Sequence, residues 1–296
     1  TVATPSWEPT TSVKPYEQLT KLYLDLETTG LDPLVERVLM VGVMSETGVK
    51  TIITDPDERV ILTKSLDYLK ANKPDCLIGH NLVNFDVPFL VTRCRINKIS
   101  HPFTRATKTT RITSSSVNGQ PIEFTPVYWR GTDILDTYQQ IAIWDKAAAK
   151  LSSYGLKNSV IALSLRDDRR LELSVERIRQ SWDSGNLGTI QDYLEFDLDD
   201  TQLLADFLLP VVYYQMNYVP NLNFQTLAIA SPALKAQKIH EKLLPGLQPD
   251  ADGKSGFDGG TVELLKPGLH RNVAKIDVSS LYPSIMLRYG ICSRKD

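Results

Sequence analysis

A chain of 296 residues with 42% hydrophobic and 23% charged residues can fold as one large globular domain or two smaller ones. Its net charge of −2 excludes a global basic field, so a nucleic acid would have to be held by local patches. The three cysteines, Cys76, Cys94 and Cys292, form no CxxC pair and favour a reduced, intracellular protein. Residues 1–15 contain no signal-peptide core, and no apolar run reaches membrane-spanning length, so we expect no membrane partner.

The first half of the chain predicts a mixed α/β sheet with helices packed on it. An extended, Pro- and Thr-rich lead-in over residues 1–20 precedes three strands, predicted at 21–26, 38–44 and 49–54. Helical periodicity follows over 57–72. A short apolar strand at 76–80 then leads into a helix from about Asn84.

The second half is predicted to be mainly helical. Residues 103–128 alternate polar and β-forming residues around Asn118-Gly119, which predicts a β-hairpin. The chain from about Asp133 to Met216 is predicted to be α-helical. Three segments follow: a helix over 221–245, a Gly- and Asp-rich linker over 249–260, and a buried strand, turn and helix start over 273–290.

Two carboxylates, Asp25 and Glu27, stand at the end of the first predicted strand. Residues i and i+2 of a strand point to the same face, so these side chains should lie side by side. Charges are costly to bury unless they are paired or bind a metal. Two acidic residues separated by one other residue also arise by chance, so the pair can be a solvated strand end. Alternatively, the two carboxylates form a site that binds a divalent cation.

A further carboxylate, Asp86, follows the strand at 76–80. Helix capping offers one interpretation, in which Asn81 or Asn84 caps the helix and Asp86 lies in its first turn. We expect Asn84 to be the cap. Capping leaves the placement of Asn81 and Phe85 unexplained.

The helical half adds Tyr193 and Asp197, which are four residues apart and therefore share one helix face. On periodicity alone, a solvated acidic face is the simpler interpretation. The neighbouring acidic residues suit that interpretation: Asp192, Glu195, Asp199 and Asp200. Another acidic segment, 133–136, indicates nothing beyond helix capping.

Taken together, the carboxylates suit a site for two Mg²⁺ or Mn²⁺ ions. Hard cations prefer oxygen ligands, and two such ions about 4 Å apart can clamp the attacking and leaving oxygens of a phosphodiester. A tyrosine hydroxyl on the same helix face can orient the attacking water. Four carboxylates cannot lie close together uncompensated, so the metal would be integral to such a site.

Three segments resemble, in order, the exonuclease motifs of family B DNA polymerases. DLETTG at 25–30, NLVNFD at 81–86 and YLEFD at 193–197 are similar to DxE, N-x(2–3)-F/Y-D and Y-x(3)-D. The wider DEDDy exonuclease superfamily has the same acidic set. The deciding segment is therefore DVSSLYPSI at 277–285, which resembles polymerase motif A of family B.

The resemblance covers about residues 21–290 and implies the fold. It implies an α/β, RNase H-like (DEDDy) exonuclease domain with a mixed β-sheet flanked by helices, followed by an incomplete polymerase palm segment. The expected domains are 1–20 as a remnant of an N-terminal domain, 21–217 as the exonuclease domain, and 218–296 as a helical linker and partial palm. FDGGTV at 257–262 resembles the family's Tyr-x-Gly-Gly linker, although Phe257 replaces the tyrosine.

By resemblance, the chain is a 3′→5′ proofreading exonuclease that acts on the single-stranded 3′ end of primer-template DNA. Tyr193 would position the attacking water, and Asn81 and Phe85 would contact the DNA end. Four carboxylates would ligate two Mg²⁺ or Mn²⁺ ions: Asp25, Glu27, Asp86 and Asp197.

One ligand has a competitor in the sequence. Phe196 and Asp200 repeat the aromatic-x(3)-Asp spacing, so Asp200 competes with Asp197. The literal tyrosine of the motif, Tyr193, favours Asp197.

The hairpin predicted over 103–128 occupies the position of the family's exonuclease hairpin. Arg105, Lys108 and Arg111 would add local positive charge for DNA phosphates. A surface hairpin with scattered basic residues is an equally good interpretation.

In the palm segment, the resemblance implies that Asp277 ligates metal at the polymerase site and that Tyr282 lies beneath the incoming nucleotide sugar. The family's YGDTD-like and Kx(3)NSxYG-like motifs are absent from the chain. We therefore expect no polymerisation by this chain alone, and expect it to be the front part of a longer polymerase, located in the cytoplasm or nucleoid and of cellular or viral origin.

Two other hypotheses stay open at this point. The chain could be a non-catalytic half that completes a polymerase by assembling with a separate C-terminal polymerase portion. It could also be an RNA-trimming DEDDy nuclease, although that hypothesis leaves the segment 277–285 unexplained.

Overall fold

In the computed structural model, the described residues fall into two compact units, residues 1–239 and residues 240–296. The described ranges are 14–112, 121–166, 173–218, 266–271 and 281–290.

The described part of the first unit begins with a single turn of 3₁₀-helix at Tyr16–Gln18, and its described strands precede the last four of its described helices. The strands are β1 Lys21–Thr28, β2 Val38–Ser45, β3 Lys50–Thr54, β4 Cys76–Gly79, β5 Phe103–Arg105, β6 Thr110–Ile112, β7 Ile122–Phe124, β8 Val127–Trp129 and β9 Asp133–Asp136. The helices are α1 Glu58–Ala71, α2 Asp86–Ile96, α3 Thr137–Ala148, α4 Leu156–Ala162, α5 Val175–Asp183 and α6 Leu187–Tyr218. In the second unit, the described helix is α7 Leu281–Tyr289.

The central sheet has the strand order β3-β2-β1-β4-β9. Strands β1, β2 and β3 pair antiparallel, whereas β4 pairs parallel with both β1 and β9. Parallel strands need a crossover, and α1 and α2 supply part of the connections. The predicted mixed α/β sheet flanked by helices is confirmed.

Each face of the sheet has its own hydrophobic core. Side chains along β1 point alternately to the two faces, so neighbouring residues of this strand belong to different cores. Leu22, Leu24 and Leu26 lie in the core that α1 and α2 share with the sheet. Tyr23 lies in the opposite core, which includes residues of α3 and α6. Asp25 and Glu27 have the parity of Tyr23, so strand alternation directs both carboxylates to the side of α6.

A glycine allows α6 to approach the sheet at this point. Gly42 of β2 lies opposite Asp25 in the antiparallel ladder. A Cβ on Gly42 would lie 2.9 Å from Leu194 Cγ and 2.9 Å from Leu198 Cδ1 of α6. The missing side chain therefore leaves room for the helix that carries Tyr193 and Asp197.

Two sequence predictions are wrong in detail. The helix predicted from about Asp133 begins at Thr137, because residues 133–136 form the edge strand β9, whose Ile134 and Leu135 are buried in opposite cores. The capping interpretation of this segment is confirmed, since Asp136 is the N-cap residue of α3. Asn84 does not cap α2: the N-cap residue is Phe85, which makes no side-chain capping bond. The Asn84 amide instead donates to the carbonyl of Glu123 at 3.1 Å.

The segment 103–128 forms two paired ribbons, β5 with β8 and β6 with β7, as the hairpin prediction requires. Its turn residues Asn118-Gly119 lie outside the described residues, as do the predicted helix at 221–245 and the linker at 249–260. Among the helices that the structure describes, none combines the length and apolarity needed to cross a bilayer.

Replacing Gly42 with alanine should push α6 away from the sheet. Overpacking of a filled core typically costs about 1–3 kcal/mol, so thermal unfolding should show a lower melting temperature for Gly42→Ala. Gly188→Ala, in the first turn of the same helix, is the matched control. Apart from its chain neighbours and the backbone of its own helix, no atom of the described residues lies within 4 Å of a Cβ at Gly188. Equal melting temperatures for the two variants would contradict the close approach at Gly42.

Candidate active site

Three carboxylates meet between the sheet and α6. Asp25 and Glu27 come from β1 and Asp197 from α6, and one carboxylate oxygen of each lies within 4.8 Å of the others. We call these three residues the carboxylate group. Glu27 is buried and Asp25 is half-buried. Like charges held this close repel one another unless a proton or a cation compensates them.

The surroundings of Asp25 disfavour the charged form of its carboxyl. Burial raises the pKa of the Asp25 carboxyl well above its ordinary value, and the negative charges of Asp197, Asp86 and Glu27 raise it further. The backbone N–H of Leu26 opposes the shift. The donor set consists of hard oxygens with excess negative charge, which fits a divalent cation such as Mg²⁺ or Mn²⁺.

Asp86 lies beside the carboxylate group at the first residue of α2 and is buried. Burial raises the pKa of its carboxyl, and the negative charges of Asp136 and Asp197 raise this pKa further. Hydrogen bonds from the backbone N–H groups of Asp86 and Leu26 act in the opposite direction and lower the pKa. Its Oδ1 atom is buried and has no hydrogen-bond partner among the described residues. Although Asp86 is not one of the three mutually close carboxylates, it offers an oxygen to the same negatively charged region.

The structure distinguishes the two candidate aspartates of α6. Asp200 is buried and forms an ion pair with Arg166, whose Nε atom lies 2.8 Å from Asp200 Oδ1. The same guanidinium lies over the ring of Phe196, with its Cζ 5.7 Å from the ring centroid. Arg166 thus engages both members of the alternative motif, whereas Asp197 lies in the carboxylate group.

A pocket of about 290 Å³ opens onto the carboxylate group, with Asp25, Tyr193 and Asp197 in its lining. Lys157 of α4 also lines it, and its Nζ atom donates a hydrogen bond to the Tyr193 hydroxyl at 2.8 Å. The same ammonium lies 4.3 Å from the Tyr193 ring centroid. Sequence analysis missed Lys157, because its partner lies 36 positions away and only the fold brings α4 to α6.

His80 is another pocket residue that the sequence did not single out. It follows β4, and its Nδ1 atom lies 2.9 Å from Thr137 Oγ1. Burial lowers the pKa of the His80 imidazole to about 4, so the ring is neutral at neutral pH. His80 thus gives the pocket a polar wall that adds no positive charge.

The residues predicted to contact DNA lie in two places. Asn81 has a left-handed backbone, with φ of 62°, and Phe85 packs against Phe89 with ring centroids 5.5 Å apart. Both belong to the turn between β4 and α2, beside the pocket residue His80. Arg105, Lys108 and Arg111 are exposed on the ribbons of 103–128. Their contacts with DNA stay predictions.

The predicted polymerase residues belong to the second unit. Tyr282 lies on α7 and is 67% exposed. Asp277 lies outside the described residues. Their roles also stay predictions.

A family model described as "DNA polymerase family B, exonuclease domain" matches residues 38–158. This range includes Asp86 and Lys157 but excludes Asp25, Glu27 and Asp197. The folded structure, rather than this match, brings those three carboxylates together.

Similar curated proteins are DNA polymerases. The chain is 29% identical to the DNA polymerase delta catalytic subunit of Oryza sativa subsp. japonica and 25% identical to that of Caenorhabditis elegans. It is 26% identical to DNA polymerase 2 of Aeropyrum pernix. Each match covers 88% of this chain, but only 24%, 25% and 32% of the respective relative.

A solved structure shares the fold. The family B DNA polymerase from the hyperthermophilic archaeon Pyrobaculum calidifontis matches with a TM-score of 0.60 at 20% sequence identity. The match covers 76% of this chain and 29% of that chain. The mixed sheet flanked by helices thus matches the RNase H-like fold of a family B polymerase exonuclease domain.

The raised pKa of Asp25 predicts a pH-dependent stability in metal-free protein. Because the folded state keeps the carboxyl protonated at a pH where the unfolded chain ionises, stability falls as pH rises from the ordinary value of 3.8 through the raised pKa. Asp25→Asn removes this loss. In EDTA at pH 8 its melting temperature should exceed that of the wild type, by about 2–4 °C for each kcal/mol of repulsion removed.

The difference should shrink as pH falls towards 4, and adding Mn²⁺ should stabilise the wild type more than the variant. Asp192→Asn, which changes an exposed carboxylate of α6 outside the carboxylate group, is the control and should behave as the wild type in both tests. An Asp25→Asn protein that is less stable than the wild type in EDTA at pH 8 would contradict the crowding of the carboxylates.

Proposed function

We propose that this chain, whose residues 38–158 match the exonuclease-domain model of DNA polymerase family B, is a metal-dependent 3′→5′ DNA exonuclease. The single observation that carries the proposal is the carboxylate group: Asp25 and Glu27 of β1 and Asp197 of α6 lie together beside Tyr193. The reaction would be hydrolysis of the terminal phosphodiester, which removes mismatched nucleotides from a primer.

Four carboxylates would hold the metal. Asp25, Glu27 and Asp197 supply mutually close oxygens, and Asp86 supplies a buried oxygen that lacks a hydrogen-bond partner among the described residues. Two Mg²⁺ or Mn²⁺ ions would neutralise charge on the attacking and leaving oxygens of the phosphodiester. Before metal binds, proton uptake by the crowded carboxylates limits their mutual repulsion.

Tyr193 and Lys157 would handle the attacking water. An ammonium group cannot accept a hydrogen bond. Lys157 therefore donates and the Tyr193 oxygen accepts in the 2.8 Å hydrogen bond between them. This bond fixes the direction of the Tyr193 hydroxyl at the pocket wall, where it would hold a water in line for attack. The charge of Lys157 would also attract the scissile phosphate.

The turn between β4 and α2 would bind the substrate. Phe85 is only partly buried and can offer a ring face to an unpaired base, and Asn81 can offer an amide. A mismatched primer end unpairs more readily than a matched one, so a site that needs a single strand favours mismatches. This selectivity is what proofreading requires.

The decisive experiment is an assay on 3′-labelled single-stranded DNA with Mg²⁺ or Mn²⁺. The double variant Asp25→Ala/Glu27→Ala should lose activity by at least about a hundredfold, because it removes preorganised electrostatic stabilisation of the reaction. Asp192→Ala is the control and should retain full activity. A wild type without activity, or a double variant with wild-type activity, would refute the proposal, and a preference for RNA would favour an RNA-trimming nuclease.

A second prediction concerns the pair formed by Lys157 and Tyr193. Lys157→Met keeps the aliphatic stem but removes the donor, and should lower kcat by about a hundredfold with a smaller change in KM. Since Lys157 would act partly through Tyr193, combining Lys157→Met with Tyr193→Phe should cost less than the two single losses added as free energies. Additive losses would show that the two residues act independently.

The chain spans between 24% and 32% of the length of the three relatives described above. DNA polymerisation, with Asp277 ligating metal and Tyr282 beneath the nucleotide sugar, belongs to this proposal only together with a C-terminal polymerase portion as partner. A protein that acts on primer-template DNA would be located in the cytoplasm or nucleoid.

A further inference from the structure

Asp136, at the end of β9, does more than cap a helix. Its carboxylate is buried, with 1% of the residue exposed. As the N-cap of α3 it accepts a hydrogen bond from the backbone N–H of Tyr138 at 3.0 Å. The same carboxylate also accepts from a different segment, the turn between β4 and α2.

Both oxygens of Asp136 hold that turn. Oδ1 accepts the N–H of Asn81 at 2.8 Å, and Oδ2 accepts the N–H of Val83 at 3.0 Å. The parallel register brings this about, because Gly79, the last residue of β4, lies opposite Asp136. The ends of two parallel strands thus meet, and one side chain bridges them.

The bridged turn needs such support. Asn81 has φ of 62°, a left-handed conformation that is uncommon outside glycine, although asparagine adopts it more readily than most residues. From this residue the turn continues through hydrogen bonds of the Asn84 and Phe85 N–H groups to the Asn81 carbonyl, at 3.1 and 2.9 Å. The conformation of Asn81 therefore sets where Phe85 lies and where α2 begins with Asp86.

We propose that Asp136 is a positioning residue, which holds Asn81 and the turn up to Asp86 in the conformation that binds the single-stranded 3′ end of DNA. The inference rests on the proposed exonuclease function. A carboxylate is suited to this task because it accepts several N–H groups and donates none. Asparagine would turn an amide NH₂ towards a backbone N–H, and serine would supply only one oxygen.

Asp, Asn and Ser are nearly equivalent as N-cap residues, so the choice of variants separates the two roles. If Asp136 only caps α3, then Asp136→Ser and Asp136→Asn should match the wild type. If it positions the turn, both variants should raise KM for single-stranded DNA by about 10- to 100-fold, with a smaller effect on kcat. Asp133→Asn, on the same strand but at its other end, is the matched control.

Hydrogen exchange provides a readout that needs neither metal nor activity. In Asp136→Ser, the amides of Asn81 and Val83 should exchange about tenfold faster or more, while the amides of α3 keep their protection. This variant retains the helix cap, so it keeps the test usable if Asp136→Asn folds poorly.

The outcomes distinguish this inference from the proposed function. A wild type that degrades no DNA refutes the exonuclease proposal. In that case the exchange rates of the Asn81 and Val83 amides still test whether Asp136 positions the turn. Faster exchange at both amides upholds the positioning role. Exchange rates in Asp136→Ser equal to those in Asp133→Asn would overturn it, and so would an unchanged KM in an active enzyme.

Discussion

The structure is organised around the repulsion between carboxylates that the fold forces together. Asp25 and Glu27 cannot separate, since alternation in β1 directs both to one face, and α6 brings Asp197 within 4.8 Å of them. Burial and the neighbouring charges raise the pKa of Asp25, so folding works against ionisation here. The hydrophobic cores on the two faces of the sheet must supply the free energy that holds the group together.

Around this charge, each neighbouring element contributes something that a cation site needs. Gly42 makes room for α6, and Asp86 adds a further buried oxygen at the start of α2. Lys157 places one positive charge against the Tyr193 hydroxyl, while Arg166 forms a separate ion pair with Asp200. The pocket thus combines carboxylates with hydrogen-bonding side chains that would handle water and DNA.

Sequence reasoning predicted the parts of this arrangement that depend on local periodicity. The shared face of Asp25 and Glu27 follows from a period of two, and the shared face of Tyr193 and Asp197 follows from a spacing of four. The strand β9 was missed because four residues with an aspartate at each end resemble a helix start. Asn84 was predicted to cap α2, but tertiary contacts turn its amide to Glu123. Lys157 could not be found at all, because proximity of α4 to α6 is a property of the fold.

The order of the strands has a consequence for synthesis on the ribosome. Asp25 and Asp197, which lie within 4.8 Å in the folded chain, are separated by 172 positions in sequence, with β4, β9 and α3 to α5 between them. A nascent chain that has emerged only through α5 has a β1 whose acidic end lacks its third carboxylate. The carboxylate group therefore assembles only once most of the first unit is available to fold, which links the appearance of the site to completion of the core around it.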